Sequence, residues 1–355
     1  MIPTTIMKQK VIISTCLEQH ISEAIKAVNP DRLFVLCDET TAQLCWPKVS
    51  NMACLANAKL ITILAGDTNK SLEAIAHVWQ ELQNGGGTRH SMMINLGGGM
   101  VTDLGGFAAS TFKRGIHFVN IPTTLLSLVD ASVGGKTGIN FGGLKNEIGV
   151  FNTSDVVILD TIFLETMDNE NLCSGYAEML KHGLINNADM LAELLRFDIA
   201  NPDLKELQRM VAESVQVKEH VVEIDPLEHG LRKALNLGHT VGHAFESYAM
   251  RKDAPLLHGY AVAYGIVCEL YLSCVKVGFP QDTMRQVVNY IKEYYGKMAI
   301  TCDDYPALFE LMTHDKKNTA GTINFTLLSS VGGIEINQTA TREEIYEALD
   351  FYREC

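Results

Sequence analysis

Short apolar runs alternate with helix-patterned stretches through the first half of the chain. Runs rich in aliphatic and β-branched residues fall at 32–37, 60–64, 92–96, 116–121 and 155–159, and helical spacing appears between several of them, as at 19–28 and 71–83. This alternation predicts a mostly parallel sheet with helices on both faces. Ligands of such sheets bind at the carboxyl ends of the strands, which here carry Asp38, the turn at 65–70 and three glycines at 97–99. From about Cys173 the period changes. Amphipathic helical patterns run at 174–196, 203–224, 236–250, 258–278 and 283–296, and a strand signal returns only at 322–336, where a hairpin is expected. The pattern predicts two domains, an α/β domain at 1–172 and a mainly helical one at 173–355, with no repeat and no low-complexity linker.

Composition narrows the classes. A chain of 355 residues with 47% hydrophobic and 20% charged residues buries a sizeable core and is not wholly disordered. Lys+Arg 29 against Asp+Glu 42 gives a net charge of −13, which argues against a nucleic acid or an anionic membrane as the main partner. A small anionic substrate stays open, because a pocket can be locally basic. The nine cysteines include no CxxC pair and are expected as free thiols of a reducing cytosol. The first residues lack the apolar core of a secretory leader, and no apolar run reaches the roughly 18 residues of a spanning helix. The expectation is a cytoplasmic protein with no membrane partner.

Five segments carry candidate chemistry. Residues 94–110 read as strand, glycine cluster and helix, where backbone N–H groups and a helix dipole favour a phosphate. The spacing is not GxGxxG, so it is not the usual dinucleotide fingerprint. Residues 119–151 combine Thr123, Thr124, Asp130, Lys136, Asn140, Lys145 and Asn146 with many glycines, and read as a loop that holds an anion. At 174–185, Glu178, Lys181 and His182 share a helical face, with Ser174 as a candidate N-cap. At 230–246, His239 and His243 stand four apart, the spacing of metal-binding helices, although the Glu of HExxH is missing. His258 stands at an expected helix start. Glu178, His239 and His258 would make a His₂Glu set with open positions, as catalytic zinc sites use, but spacing equally allows the His239–His243 pair. The run 314–318 adds two lysines of either surface or site.

At these residues the sequence resembles the 3-dehydroquinate synthases. GGGMVTDLGGFAA, PTTLLSLVDASVGGKTGIN with GLKNEIG, SGYAEMLKHG, GLRKALNLGHTVGHAFE, LHGYAVAYG and DKK follow in family order over about 30–320. The resemblance implies an α/β N-terminal Rossmann-like domain that binds NAD, a mostly α-helical C-terminal metal-binding domain, and a homodimer. It implies Glu178, His239 and His258 as ligands of zinc (or cobalt). It implies NAD contacts from Asp38, Asp67, Lys70, Gly98, Gly99, Asp103, Thr123 and Thr124. The substrate residues it implies are Asp130, Lys136, Lys145, Asn146, Lys181, Lys218, Arg232, Asn236, His243 and one of Lys316 and Lys317, with Arg114 reaching the neighbouring subunit. Thr102, Tyr260 and Asp67 depart from the common family pattern of Gly, Glu and Glu, and Asp67 bears on the cofactor contacts.

The implied reaction is that of the shikimate pathway. A sugar phosphate, 3-deoxy-D-arabino-heptulosonate 7-phosphate, becomes 3-dehydroquinate and phosphate through transient oxidation by NAD, phosphate elimination, reduction and aldol closure. The alternatives are a metal-dependent polyol or alcohol dehydrogenase and a related sugar-phosphate cyclase.

Overall fold

The computed structural model describes residues 9–142, 144–313 and 323–355. It divides into two compact units, Met1–Asp168 with Asp203–Val215, and Asn169–Pro202 with Gln216–Cys355.

The first unit is built on a six-stranded parallel sheet. Its elements run β1 (Lys10–Ile13), α1 (Leu17–Val28), β2 (Leu33–Asp38), the short α2 (Glu39–Leu44) and α3 (Trp46–Val49), β3 (Lys59–Ile63), α4 (Leu72–Asn84), β4 (Met92–Gly97), α5 (Gly99–Thr111), β5 (His117–Pro122), β6 (Lys136–Phe141), β7 (Leu144–Phe151) and β8 (Val156–Leu159). The sheet order is β1-β8-β5-β4-β2-β3, with every pair parallel. The chain winds from β2 outward to β3, then returns past β2 to β4 and winds the other way to β5. The order therefore reverses between β2 and β4, the switch point at which doubly wound sheets bind ligands. Two apolar layers fill the faces. One is centred on Val35, Ile94, Val119 and Ile158, the other on Phe34, Leu36, Met93 and Leu104. Strands β2 and β4 are buried on both faces, which explains why they read as continuous apolar runs.

Several features differ from the sequence reading. The edge strand β1 is not among the expected runs. The helix expected at 174–196 is two, Asn169–Asn186 and Ala188–Leu194, so Ser174 lies inside the first and is not its N-cap. The segment read as an anion-holding loop contains an antiparallel hairpin, β6 with β7. Gly138 faces Gly149 across it, so the alternation that reveals a strand is blank there. Residues 203–215 belong with the first unit, although the helical pattern places them in the second domain. The Gln208 side chain donates to the Ser14 carbonyl (2.6 Å) and accepts from the Thr161 hydroxyl (2.9 Å), contacts no local pattern encodes.

The second unit contains α6 (Asn169–Asn186), α7 (Ala188–Leu194), the end of α8 (Leu204–Ile224), α9 (His239–Arg251), α10 (His258–Val277), α11 (Gln281–Tyr295), α12 (Tyr305–Thr313), the hairpin β9 (Asn324–Ser330) with β10 (Gly333–Thr339), and α13 (Arg342–Glu354). Helix α10 is its axis, packed against α6, α9, α11, α13 and β9. By length and composition α10 is apolar enough to cross a membrane, yet 67% of its apolar stretch is buried within the structure. All nine cysteines are free; Cys37, Cys45, Cys173 and Cys268 are buried, and Cys16 and Cys302 are exposed.

Candidate active site

The second unit gathers the metal-type side chains. Leu172 through Ile185 of α6 are all buried, so Glu178, Lys181 and His182 lie inside among apolar neighbours. A carboxylate and an ammonium are tolerated there only as partners, and the Lys181 Nζ donates to Glu178 Oε2 in a short contact. Helix α10 begins one turn away. The Gly259 N–H donates to the Ser174 Oγ (3.1 Å), and a Cβ at Gly259 would stand 1.8 Å from the Ser174 carbonyl oxygen. That approach, open only to glycine, brings His258 against Glu178.

Helix α9 starts at His239 and not at 236. The preceding residues form a 3₁₀ stretch, Leu231–Asn236, and Gly238 takes a left-handed φ of 79° that breaks the helical run. Buried Glu269 of α10 then holds the start of α9. Its Oε2 accepts from the Gly238 N–H (2.6 Å) and its Oε1 from the Thr240 and Val241 N–H groups (3.1 and 3.2 Å). A carboxylate at this position satisfies N–H groups left open at a helix start and suits the dipole.

The outcome is a convergence on Glu178 Oε1. His239 Nε2 lies 3.5 Å and His258 Nε2 3.6 Å from it. Glu178 Oε1 is buried with no hydrogen-bond partner. A tetrahedral zinc with ligands at about 2.0–2.2 Å sets its ligand atoms roughly 3.3–3.6 Å apart, which both separations from Glu178 Oε1 match, and all three ligand atoms lie within 4.8 Å of one another. The other ring nitrogens are engaged, His239 Nδ1 with the Leu237 carbonyl (3.1 Å) and His258 Nδ1 with Glu246 Oε2 (3.3 Å). These contacts engage Nδ1 of each ring and turn both Nε2 atoms toward Glu178. Burial opposes charge on His258, yet Glu178 and Glu246 outweigh it and push its pKa up to about 10. Burial likewise raises Glu178, but Lys181 and His258 hold its carboxyl well below the usual range. The site favours positive charge at the point where the three side chains converge. His243 stands beside them, its ring centroid 5.4 Å from that of His239 and 5.9 Å from that of His258.

Other predicted residues of this unit lie on nearby chain. Arg232 is buried, and its Nη1 donates to the Pro226 carbonyl (2.7 Å). The Asn236 Nδ2 donates to Glu228 Oε1 (2.9 Å). Lys218 is buried on α8. Lys316 and Lys317 lie outside the described residues.

In the first unit, Asp38 and Gly97 end the two strands of the switch point. Asp38 Oδ1 accepts from the Thr41 N–H (2.8 Å) and caps α2. Gly98 is the N-cap of α5 with no side-chain cap, followed by Gly99 at its first position. The adjacent β5 ends at Pro122. There the Thr123 N–H donates to the Gly97 carbonyl (3.0 Å), while the buried Thr123 hydroxyl has no hydrogen-bond partner. Thr124 follows and bonds Ser127. An uncapped helix start, an orphaned hydroxyl and a carboxylate at a switch point fit a dinucleotide.

Behind them lies a polar network. Buried Lys70 Nζ donates to Asp103 Oδ2 (3.0 Å) and to Asn146 Oδ1 (2.5 Å), and Lys145 Nζ lies 3.4 Å from Asp67 Oδ2. Asn146 has a left-handed φ of 52°. Burial pushes Asp103 up to about 6 against the opposing pull of Lys70. Asp130 sits in a single π-turn, Ser127–Ala131, and Lys136 is exposed at the start of β6. Lys113 and Arg114 are consecutive left-handed residues, φ 54° and 70°.

Sequence reasoning gave no role to Glu246 or Glu269, and placed Asn140 only among the polar residues of an anion-holding loop. Asn140 ties the hairpin to the 67–70 turn. Its side chain donates to the Asp67 carbonyl (2.8 Å) and accepts from the Asn146 N–H (3.0 Å), and its own N–H donates to the Lys70 carbonyl (2.8 Å). Glu246 did carry a signal, since it stands seven residues after His239 and three after His243, on their face of the helix.

Fold and site together define the class: an α/β unit with a nucleotide-type switch point, carried in one chain with a helical unit that holds a His₂Glu cluster. Solved structures of the same fold include the 2-epi-5-epi-valiolone synthase of Streptomyces hygroscopicus, with NAD+ and Zn2+ bound (TM-score 0.82, 23% identity, 98% of this chain and 97% of that one). Another is an iron-containing alcohol dehydrogenase of Thermococcus thioreducens (TM-score 0.67, 17% identity, 98% of each chain). Residues 60–174 match the family model described as 3-dehydroquinate synthase N-terminal, and residues 175–318 the one described as 3-dehydroquinate synthase C-terminal. The chain is 52% identical over 347 residues to the 3-dehydroquinate synthase of Parabacteroides distasonis, covering 98% of both, and 35% identical over 321 residues to that of Streptococcus pyogenes, covering 90% of this chain and 89% of the relative. The chain belongs to the 3-dehydroquinate synthase family.

Proposed function

We infer that the chain is a phosphate-eliminating carbon–oxygen lyase, a 3-dehydroquinate synthase, that converts 3-deoxy-D-arabino-heptulosonate 7-phosphate to 3-dehydroquinate and phosphate. The observation that carries this reading is the approach of two imidazole Nε2 atoms to the unpartnered Glu178 Oε1, in a chain of this family. Glu178, His239 and His258 would hold zinc or cobalt. Asp38, Asp67, Lys70, Gly98, Gly99, Asp103, Thr123 and Thr124 would hold NAD. When bound, the metal supplies a Lewis acid and NAD a hydride acceptor that is regenerated within the cycle.

The chain's own residues do the rest. Lys181 compensates the Glu178 charge and keeps Oε1 aimed at the two imidazoles. His243, beside the ligands and not converging with them, donates to a phosphate oxygen. Arg232 offers the planar fork that suits a carboxylate, and Asn236, Lys218, Asp130, Lys136, Lys145 and Asn146 add polar contacts to the substrate. Oxidation of a hydroxyl acidifies the neighbouring C–H; its proton goes to the departing phosphate as the C–O bond breaks. Return of the hydride, opening of the hemiketal ring and an intramolecular aldol step would then give the carbocyclic product. We place the enzyme in the cytoplasm as a homodimer with a small sugar phosphate as its partner, and Arg114 on the neighbouring subunit's substrate.

Incubation with the heptulosonate phosphate and substoichiometric NAD tests the reading. Phosphate should accumulate far beyond the NAD added, with no net NADH. One NADH per substrate and no phosphate would identify a dehydrogenase instead.

A further inference from the structure

Behind the metal cluster stands a carboxylate to which the reaction has so far given no role. Glu246 lies on α9, two turns beyond His239 on the same helical face. It is buried, and its Oε2 lies 3.3 Å from His258 Nδ1. We propose that Glu246 is the positioning residue of the metal ligand His258: it accepts the Nδ1 hydrogen bond, fixes the tautomer and holds the ring with Nε2 toward Glu178. This rests on the reading that Glu178, His239 and His258 bind a divalent metal.

Three observations support the assignment. The two imidazoles are anchored differently. His239 uses the carbonyl of Leu237, two residues away on its own chain segment, whereas His258 is the first residue of α10 and takes its Nδ1 partner from a different helix. The contact therefore ties α10 to α9 at the cluster, so that α9 supplies one ligand and the anchor of the other. Second, an anionic acceptor makes the imidazole a stronger donor and sets a second negative charge near the dication, which a neutral carbonyl does not. Third, the acid occupies a buried position, where a carboxylate is costly unless its charge is used.

The test is metal affinity, measured by competition with a chromophoric chelator on the wild type, Glu246→Gln, Glu246→Ala and Glu178→Gln, alongside the melting temperature of each metal-free protein. Loss of an outer partner of this kind costs about 10–100-fold in affinity. Glu246→Ala should fall in that range. The near-isosteric Glu246→Gln should lose about tenfold, leave the metal-free melting temperature unchanged and alter the visible spectrum of the cobalt-substituted protein. Wild-type affinity and spectrum in the Gln variant would overturn the proposal, even if the Ala variant does not fold. A lowered metal-free melting temperature with unchanged affinity would also overturn it, making Glu246 a packing residue. Wild-type affinity in Glu178→Gln would instead sink the underlying metal reading.

Discussion

At Asp103, burial and charge oppose each other, and burial wins. Its pKa rises from the usual 3.8 to about 6 despite the Lys70 ammonium at 3.0 Å. A carboxyl raised on folding favours the native state while protonated. Its contribution is therefore complete below about pH 4 and lost as pH climbs through about 6, up to about 3 kcal/mol for a two-unit shift. Site-resolved NMR should show a carboxyl titrating near pH 6 that vanishes in Asp103→Asn; titration near 4 would contradict the opposition described. The two histidines of α9 differ in the same local way. His239→Ala should lose bound metal and activity together, since its Nε2 faces Glu178 Oε1 at 3.5 Å. His243→Ala should keep near-stoichiometric metal and turn over poorly. Metal analysis of the purified variants decides between them, and a metal-free but folded His243→Ala protein would reassign the site to the HTVGH pair. Residue types were legible in the sequence here. Which imidazole converges on Glu178 was not, because residues four apart on a helix share a face regardless of what faces them.

Elements were legible where one period dominated. The five expected strands of the parallel sheet and the helices expected at 203–224, 258–278 and 283–296 stand close to their expected bounds, because buried strands and amphipathic helices advertise themselves over many residues. The pattern at 174–196 instead divides into two helices, and that at 236–250 starts only at His239. The hairpin β6–β7 was hidden by its glycines. Helix α10 was visible as apolar, but only its packing against five elements of its unit separates a core helix from a spanning one. Its start depends on one atom. Gly259→Ala would drive a methyl group to 1.8 Å from a backbone oxygen of α6, a contact that neither backbone can relieve cheaply. Overpacking usually costs about 1–3 kcal/mol, and we expect the upper end or beyond. Thermal melts of the metal-free protein check this; a melting temperature within a degree or two of wild type would show that the helices separate freely.

At the scale of the whole molecule, the strained turn at Lys113 and Arg114 is the feature to test. Two consecutive left-handed side chains cost roughly 1–3 kcal/mol each and persist where a function needs them. If Arg114 serves the neighbouring subunit, inactive Arg114→Ala and Lys136→Ala proteins should recover activity when mixed, because a hybrid dimer regains one complete site. Absence of recovery after verified subunit exchange would confine Arg114 to its own chain.

The sequence by itself determined the class of each half, the parallel sheet, the helical texture beyond residue 173 and the ordered motifs that mark the family, because all of these are properties of neighbours along the chain. Tertiary structure decided the rest. It moved residues 203–215 into the first unit, turned a glycine-rich loop into a hairpin, and chose His258 over His243 to converge with Glu178 and His239. It also exposed Asn140, Glu246 and Glu269 as anchors. Each of these was settled by a contact between residues far apart in sequence: Gln208 with Ser14, Gly259 with Ser174, Glu269 with Gly238. Periodicity reports which face a residue shares along its own element, and only packing fixes what stands opposite that face.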